Sequence, residues 1–198
     1  MINISNRLNI KDPFEVLAEF LTEVWALLGA DMKKTPKLAC DTNINVANEF
    51  DVVQAIYDVD ENLIVITEAF ATADWKLYGR VLKQAVHELY HAFQVKVIGR
   101  ELNYELFNYE SGTINQEYYK DENEIEAHAF DEWFEQYWLK ITTRDKHAPK
   151  IPDCDLLPKY QFEKQYKKFE RRYSGKLVKN SHKWDLLTRE LLISLKLI

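Results

Sequence analysis

Apolar positions recur at steps of three and four in several stretches of the chain, and each such stretch predicts an amphipathic helix. The first runs from Asp12 to Gly29, with Phe14, Leu17, Phe20, Leu21, Val24 and Leu28 on one face. Asp12 is a natural cap, Pro13 suits the first helical position, Glu15 completes a DxxE of capping-box type and Gly29 supplies a stop. A second stripe, Tyr78, Leu82, Ala85, Leu89 and Phe93, predicts a long helix from about Asp74 to Ile98, with Asp74 or Thr72 as cap and Gly99 as its end. A third helix is expected from about Asn123 to Ile141. A fourth covers PKYQFEKQYKKFERRYSG and is expected to end at Gly175, and a last covers SHKWDLLTRELLISLKLI, capped by Ser181.

Between the first two helices the periodicity changes. VVQAIY (52–57) and LIVIT (63–67) are rich in β-branched residues and flank the polar DVDEN (58–62), which reads as an antiparallel hairpin. LACDTNINV (38–46) offers a further strand. Residues 100–121, tyrosine-rich and carrying Ser-Gly at 111–112, read as an irregular connection. Helix, short sheet, then several helices define an α+β chain. Its 198 residues suit one domain, with 145–198 as a helical C-terminal extension.

Charge and composition narrow the choices. A net charge of -6 gives no general attraction to nucleic acid or to anionic membranes. Residues 159–176 are basic and interleave aromatics, a pattern better explained by an amphipathic helix with solvated lysines than by a nucleic-acid surface. No stretch has the uncharged apolar length of a membrane span, and MINISNRLNIKDPF lacks the build of a secretory signal. Cys40 and Cys154 form no CxxC and read as free thiols in a reducing compartment, so a cytoplasmic protein is expected.

The chemistry sits at residues 87–91, HELYH, deep inside the second helix. Histidines at i and i+4 lie one turn apart on one face, so His87 and His91 can converge on a single tetrahedral ion. A catalytic zinc needs three protein ligands and one further position for water. Glu88, offset by one residue, projects beside the ion, where it can take a proton from that water and return it to the leaving amine. The alternative is a helix whose two histidines are simply hydrogen-bonded, but two histidines and a glutamate buried together without a metal need an unusual set of partners.

A third ligand is expected from the later helix, in EIEAHAFDEW. Glu126 lies on the stripe of Phe130, Trp133 and Tyr137, an apolar face on which a bare carboxylate is costly unless a metal neutralises it. Glu122, Glu124 and His128 are its rivals. Glu122 stands at the helix start, whereas Glu124 and His128 are each two positions from Glu126 and point away from it. An oxyanion donor is also required, and Tyr109, Tyr118, Tyr119 and His147 qualify by type without the sequence choosing among them.

HELYH followed by EAHAF resembles the zincin metallopeptidases of the gluzincin kind, and within them the EAxxF element is similar to that of the ImmA/IrrE family of bacterial and phage intracellular peptidases. The likeness covers residues 50 to 135. It implies a zincin-like fold: an N-terminal helix, a small antiparallel sheet whose edge binds substrate as an added strand, an HExxH helix and a glutamate helix. It also implies one zinc ion per chain held by His87, His91 and Glu126, with Glu88 as general base and a protein or peptide as substrate. Manganese, iron or cobalt would suit the same donors. A second reading keeps the scaffold as a non-catalytic binding module that works through protein contacts.

Overall fold

The computed structural model describes residues 11–41, 47–48, 51–52, 55–67, 75–103, 107–108, 113–114, 117–143 and 156–197. Helix α1 spans Pro13–Leu28. The Asp12 carboxylate accepts from the Phe14 N–H, and Gly29 ends the helix with φ 76°, a left-handed cap that glycine adopts without a Cβ clash. Strands β1 (Lys37–Asp41), β2 (Ala47–Asn48), β3 (Asp51–Val52), β4 (Ala55–Asp58) and β5 (Leu63–Thr67) follow.

The expected hairpin is β4 and β5, paired antiparallel from Ala55↔Ile66 to Asp58↔Leu63. On the other side of β5 lies β1, in parallel register from Lys37↔Leu63 to Asp41↔Thr67, so the three-stranded sheet is mixed, not purely antiparallel. Asn62 explains how the two strand starts are joined. It closes the hairpin turn at φ 50°, a conformation asparagine tolerates, and its carbonyl accepts from the Lys37 N–H at 3.0 Å. The Tyr57 hydroxyl donates to its side-chain oxygen at 2.9 Å. The two outermost expectations here, strand residues 42–46 and the caps Thr72 and Asp74, lie outside the described residues.

Helix α2 (Trp75–Phe93) continues into a π-helical turn, Gln94–Ile98, that Gly99 ends at φ 81°. Short strands β6 (Phe107–Asn108) and β7 (Thr113–Ile114) pair within the connection expected to be irregular, and a 3-10 turn, Tyr118–Lys120, leads into α3 (Glu122–Thr143). The last helices are α4 (Lys159–Lys179) and α5 (Ser181–Ser194). The expected stop at Gly175 is not used. Phe162, Tyr166, Phe169, Tyr173 and Leu177 are all buried, so the apolar stripe runs past the glycine and the helix goes with it. Gly175 is helical and exposed, and a Cβ there would meet nothing within 4 Å. Gly175→Ala should therefore stabilise the protein by about 0.5–1 kcal/mol, read as a higher midpoint in thermal or urea unfolding. Asn180 is the residue at the N-cap of α5, one position before the expected Ser181.

One apolar core joins α1, the sheet and all the helices, the C-terminal pair included. Helix α3 lies at its centre, packed against α2, α4 and α5. Phe20 meets Phe134, Trp138 and Trp184 edge-on at 5.5–5.9 Å between ring centres. On the other side Tyr90 of α2 stacks on Phe130 at 4.7 Å, and Phe169 of α4 meets both edge-on. Buried indole N–H groups find acceptors: Trp25 bonds the Asp31 carbonyl at 3.0 Å and Trp138 the Thr188 hydroxyl at 2.8 Å. This aromatic packing fixes α3 against α2 and so sets which face of α3 looks at HELYH. Among the described residues no helix is long and apolar enough to cross a membrane.

Candidate metal centre

His87 and His91 stand one turn apart on α2, both nearly buried at 6% and 5% exposure. Their Nε2 atoms are 2.9 Å apart. The Nδ1 atom of His87 lies 2.9 Å from Asp131 Oδ2, and that of His91 lies 2.8 Å from Gln94 Oε1. Each outer partner is an acceptor, so in the neutral imidazole each Nδ1 carries the proton and each Nε2 presents a lone pair. Two lone pairs that close repel unless a proton or a metal ion lies between them.

The carboxylate beside them belongs to Glu124, not to the expected Glu126. Glu124 Oε2 lies 3.3 Å from His87 Nε2 and 3.4 Å from His91 Nε2. It is buried and takes part in no hydrogen bond of normal geometry. The three donor atoms thus form a triangle with edges of 2.9, 3.3 and 3.4 Å. Tetrahedral ligands at zinc's usual bond lengths of about 2.0–2.1 Å stand about 3.3–3.4 Å apart. Donor type, spacing and an orphaned buried carboxylate oxygen all fit a divalent ion.

Glu126 is 1% exposed, as its place on the apolar stripe requires, but two cations neutralise it: Arg100 at 2.9 Å and Lys168 at 2.8 Å. Those partners come from the end of the π-turn and from α4, segments whose proximity depends on the tertiary fold. The expectation that a metal neutralises Glu126 is corrected by this pairing. Phe130 packs on Tyr90 of α2, and the adjoining face of α3, which carries Glu124, His128 and Asp131, comes to lie beside His87. Their spacing of i, i+4 and i+7 is the same helical repeat as His87 and His91, and it is the sequence signal that marks them.

His128 also belongs to the neighbourhood. Donor atoms of His87, Glu124 and His128 all lie within 4.8 Å of one another, and the His87 and His128 rings are 4.4 Å apart. His128 Nδ1 approaches Asp131 Oδ2 at 3.6 Å. Glu88 is placed by the sheet: the Tyr57 N–H of β4 donates to its Oε2 at 2.9 Å. Tyr118 stands on the 3-10 turn with its ring 6.1 Å from that of His128, and its phenol lies in the field of Glu124. Of the oxyanion candidates, Tyr118 therefore adjoins the site, while Tyr109 and His147 lie outside the described residues. Glu122 is exposed at the first position of α3.

The electrostatics follow from this crowd of acids. Burial works against charge on His87, yet Asp131 and Glu124 outweigh it and hold its pKa up at about 10. His91 is likewise raised against the pull of burial, chiefly by Glu124. Glu124 is driven well below the carboxylate range by the two imidazoles, despite its own burial. Asp131 is held at about 2, against the effect of burial, by its hydrogen bonds with His128 and His87. Glu88 moves the other way. Its burial raises its pKa, only partly offset by His91 and His87. The cluster as a whole calls for positive charge, which protons on the imidazoles or a bound dication can supply. Burial also pushes the Tyr118 phenol well up, so it stays protonated and keeps a donor at the site.

Comparison of the chain with protein-family models, with curated proteins and with solved structures gave no match.

Proposed function

We propose that the protein is a zinc-dependent peptidase of the cytoplasm, built on a zincin-like scaffold of the gluzincin kind. The observation that carries this reading is the buried triangle of His87 Nε2, His91 Nε2 and Glu124 Oε2, with Glu88 held beside it. His87, His91 and Glu124 would hold the metal. When bound, zinc acts as a Lewis acid on a carbonyl oxygen and makes water acidic enough to attack near neutral pH.

The chain's own residues do the rest. Asp131 and Gln94 fix the two imidazoles so that both Nε2 atoms face inward. Tyr57 pins one oxygen of Glu88 through its backbone N–H, which leaves Oε1 to take the proton of the attacking water and pass it to the leaving amine. The raised pKa of Glu88 brings it closer to the range where it can both accept and release that proton. Tyr118 offers a neutral O–H donor at the same place. A peptide substrate is favoured because, among the described residues, β4 is at the edge of its sheet and its Tyr57 N–H points to Glu88. An extended peptide laid along that edge brings a backbone carbonyl to the base.

His128 favours a second reading. If it joins His87, His91 and Glu124, four protein donors fill a tetrahedral ion and the metal serves structure or partner binding instead of hydrolysis. Substitution with cobalt separates the two, since an exchangeable water makes the visible spectrum respond to small anions and a closed four-donor site does not. The peptidase reading also expects one zinc per chain by elemental analysis, and cleavage of unstructured peptides that a chelator stops and zinc restores. Metal removal should lower the melting temperature as well: free metal at a thousand times Kd stabilises by about 4 kcal/mol. A chain that takes up no metal and melts identically with and without chelator sinks the proposal.

A further inference from the structure

We infer that Gln94 is the positioning residue for His91, and that a cluster of Arg100, Asn123 and the buried Glu126 locks Gln94 in the one orientation that serves it; this rests on the metal-site reading above. A carboxamide can face either way, so its neighbours decide. Nε2 of Gln94 meets two acceptors, the Asn123 carbonyl at 3.0 Å and Glu126 Oε2 at 3.5 Å. The NH2 must point there. Oε1 then faces His91 Nδ1 at 2.8 Å and accepts its proton. The tautomer of His91 is thereby set, with the lone pair of Nε2 directed at Glu124 and His87.

The acceptors are themselves held. Arg100 donates to Asn123 Oδ1 at 3.1 Å and pairs with Glu126 Oε2 at 2.9 Å. Asn123 Nδ2 donates to the Glu101 carbonyl at 3.1 Å, and its N–H to Asp121 Oδ1 at 2.8 Å. The π-turn makes this closure possible. Gly99, at φ 81°, reverses the chain so that the Arg100 N–H bonds the Gln94 carbonyl at 3.0 Å and its guanidinium reaches α3. Gln94 itself is fully buried.

The arrangement also explains an asymmetry. His87 leans on a carboxylate, whereas His91 leans on a neutral amide. Glu88, Glu124 and Asp131 already crowd the imidazoles with negative charge. A further carboxylate directly on His91 would add to it. Glu126 instead acts one step farther out, neutralised by Arg100 and Lys168.

The test uses the full chain, loaded with zinc, with zinc affinity read by competition against a chromophoric chelator and the His91 ring read by nitrogen-15 NMR. The wild type should show zinc on Nε2 of His91 and a slowly exchanging proton on Nδ1. Gln94→Met keeps the side-chain shape and loses the acceptor. It should bind zinc about 10–100-fold more weakly and exchange that proton rapidly. Circular dichroism establishes that the variant is folded, and if it is not, the wild-type ring spectrum alone decides. Zinc on Nδ1 of His91 in the wild type, or unchanged affinity in a folded Gln94→Met, overturns the role of Gln94. A wild type that binds no zinc defeats the metal reading itself, a different result from either of these.

Discussion

Glu124→Gln should abolish stoichiometric zinc binding while Glu126→Gln keeps it. The two residues stand two positions apart on one helix, and patterning alone favours Glu126 as the ligand. Their surroundings separate them. Glu124 Oε2 faces two imidazole nitrogens and makes no proper hydrogen bond. Both oxygens of Glu126 are engaged by cations. Amidation of Glu124 removes the only charged donor of the triangle, and zinc affinity should fall by more than the roughly 100-fold that loss of an outer partner costs. Amidation of Glu126 leaves Arg100 and Lys168 without their counter-charge, and both can turn partly toward solvent. It should cost about 1–3 kcal/mol of stability in urea unfolding, with zinc content near one per chain. A Glu126→Gln protein that loses its metal while Glu124→Gln retains it would reverse the assignment.

Glu88→Gln should leave zinc in place and reduce peptide hydrolysis by about 10²–10⁴-fold, the span usual for a general base. Glutamine preserves the shape and still accepts from the Tyr57 N–H through its oxygen. What it loses is basicity. The loss should fall on kcat more than on KM, because the proton moves in the transition state and not on binding. A variant that keeps wild-type turnover would remove Glu88 from the chemistry.

The local elements were legible because their signals are local. Pro13, Asp12 and Gly29 bound α1 as the cap chemistry requires, and the β-branched runs of β4 and β5 pair as a hairpin. The histidine pair was legible for the same reason, being one turn of one helix. Three things were not. The parallel placement of β1 depends on Asn62 tying two strand starts together, a contact 25 residues apart in sequence for Lys37 and Asn62. The passage of α4 beyond Gly175 depends on Leu177 reaching the core. The choice between Glu124 and Glu126 depends on which of them the packing of α3 brings to His87 and His91. Hydrophobic patterning put Glu126 on the buried side correctly, but a buried acid has two remedies, a metal or a pair of cations. Only the fold shows that Arg100 and Lys168 arrive. Gln94 is not legible as a partner of His91, because glutamine three positions after a histidine is common on any helix; Asp131 shares the repeat of Glu124 and His128, but that repeat does not say which of the three meets His87.

The clamp of Lys168 on Glu126 ties the seating of α4 to the burial of a charge on α3. The aromatic residues of α4 complete the pocket around Phe130, and Lys168 supplies half of the charge that lets Glu126 leave water. Without α4 in place, Glu126 would have only Arg100 as a counter-charge and α3 would lack the contact of Phe130 with Phe169. Docking of α4 and dehydration of the Glu126 carboxylate are therefore coupled, so loosening α4 should let water back to that acid before the rest of the core opens.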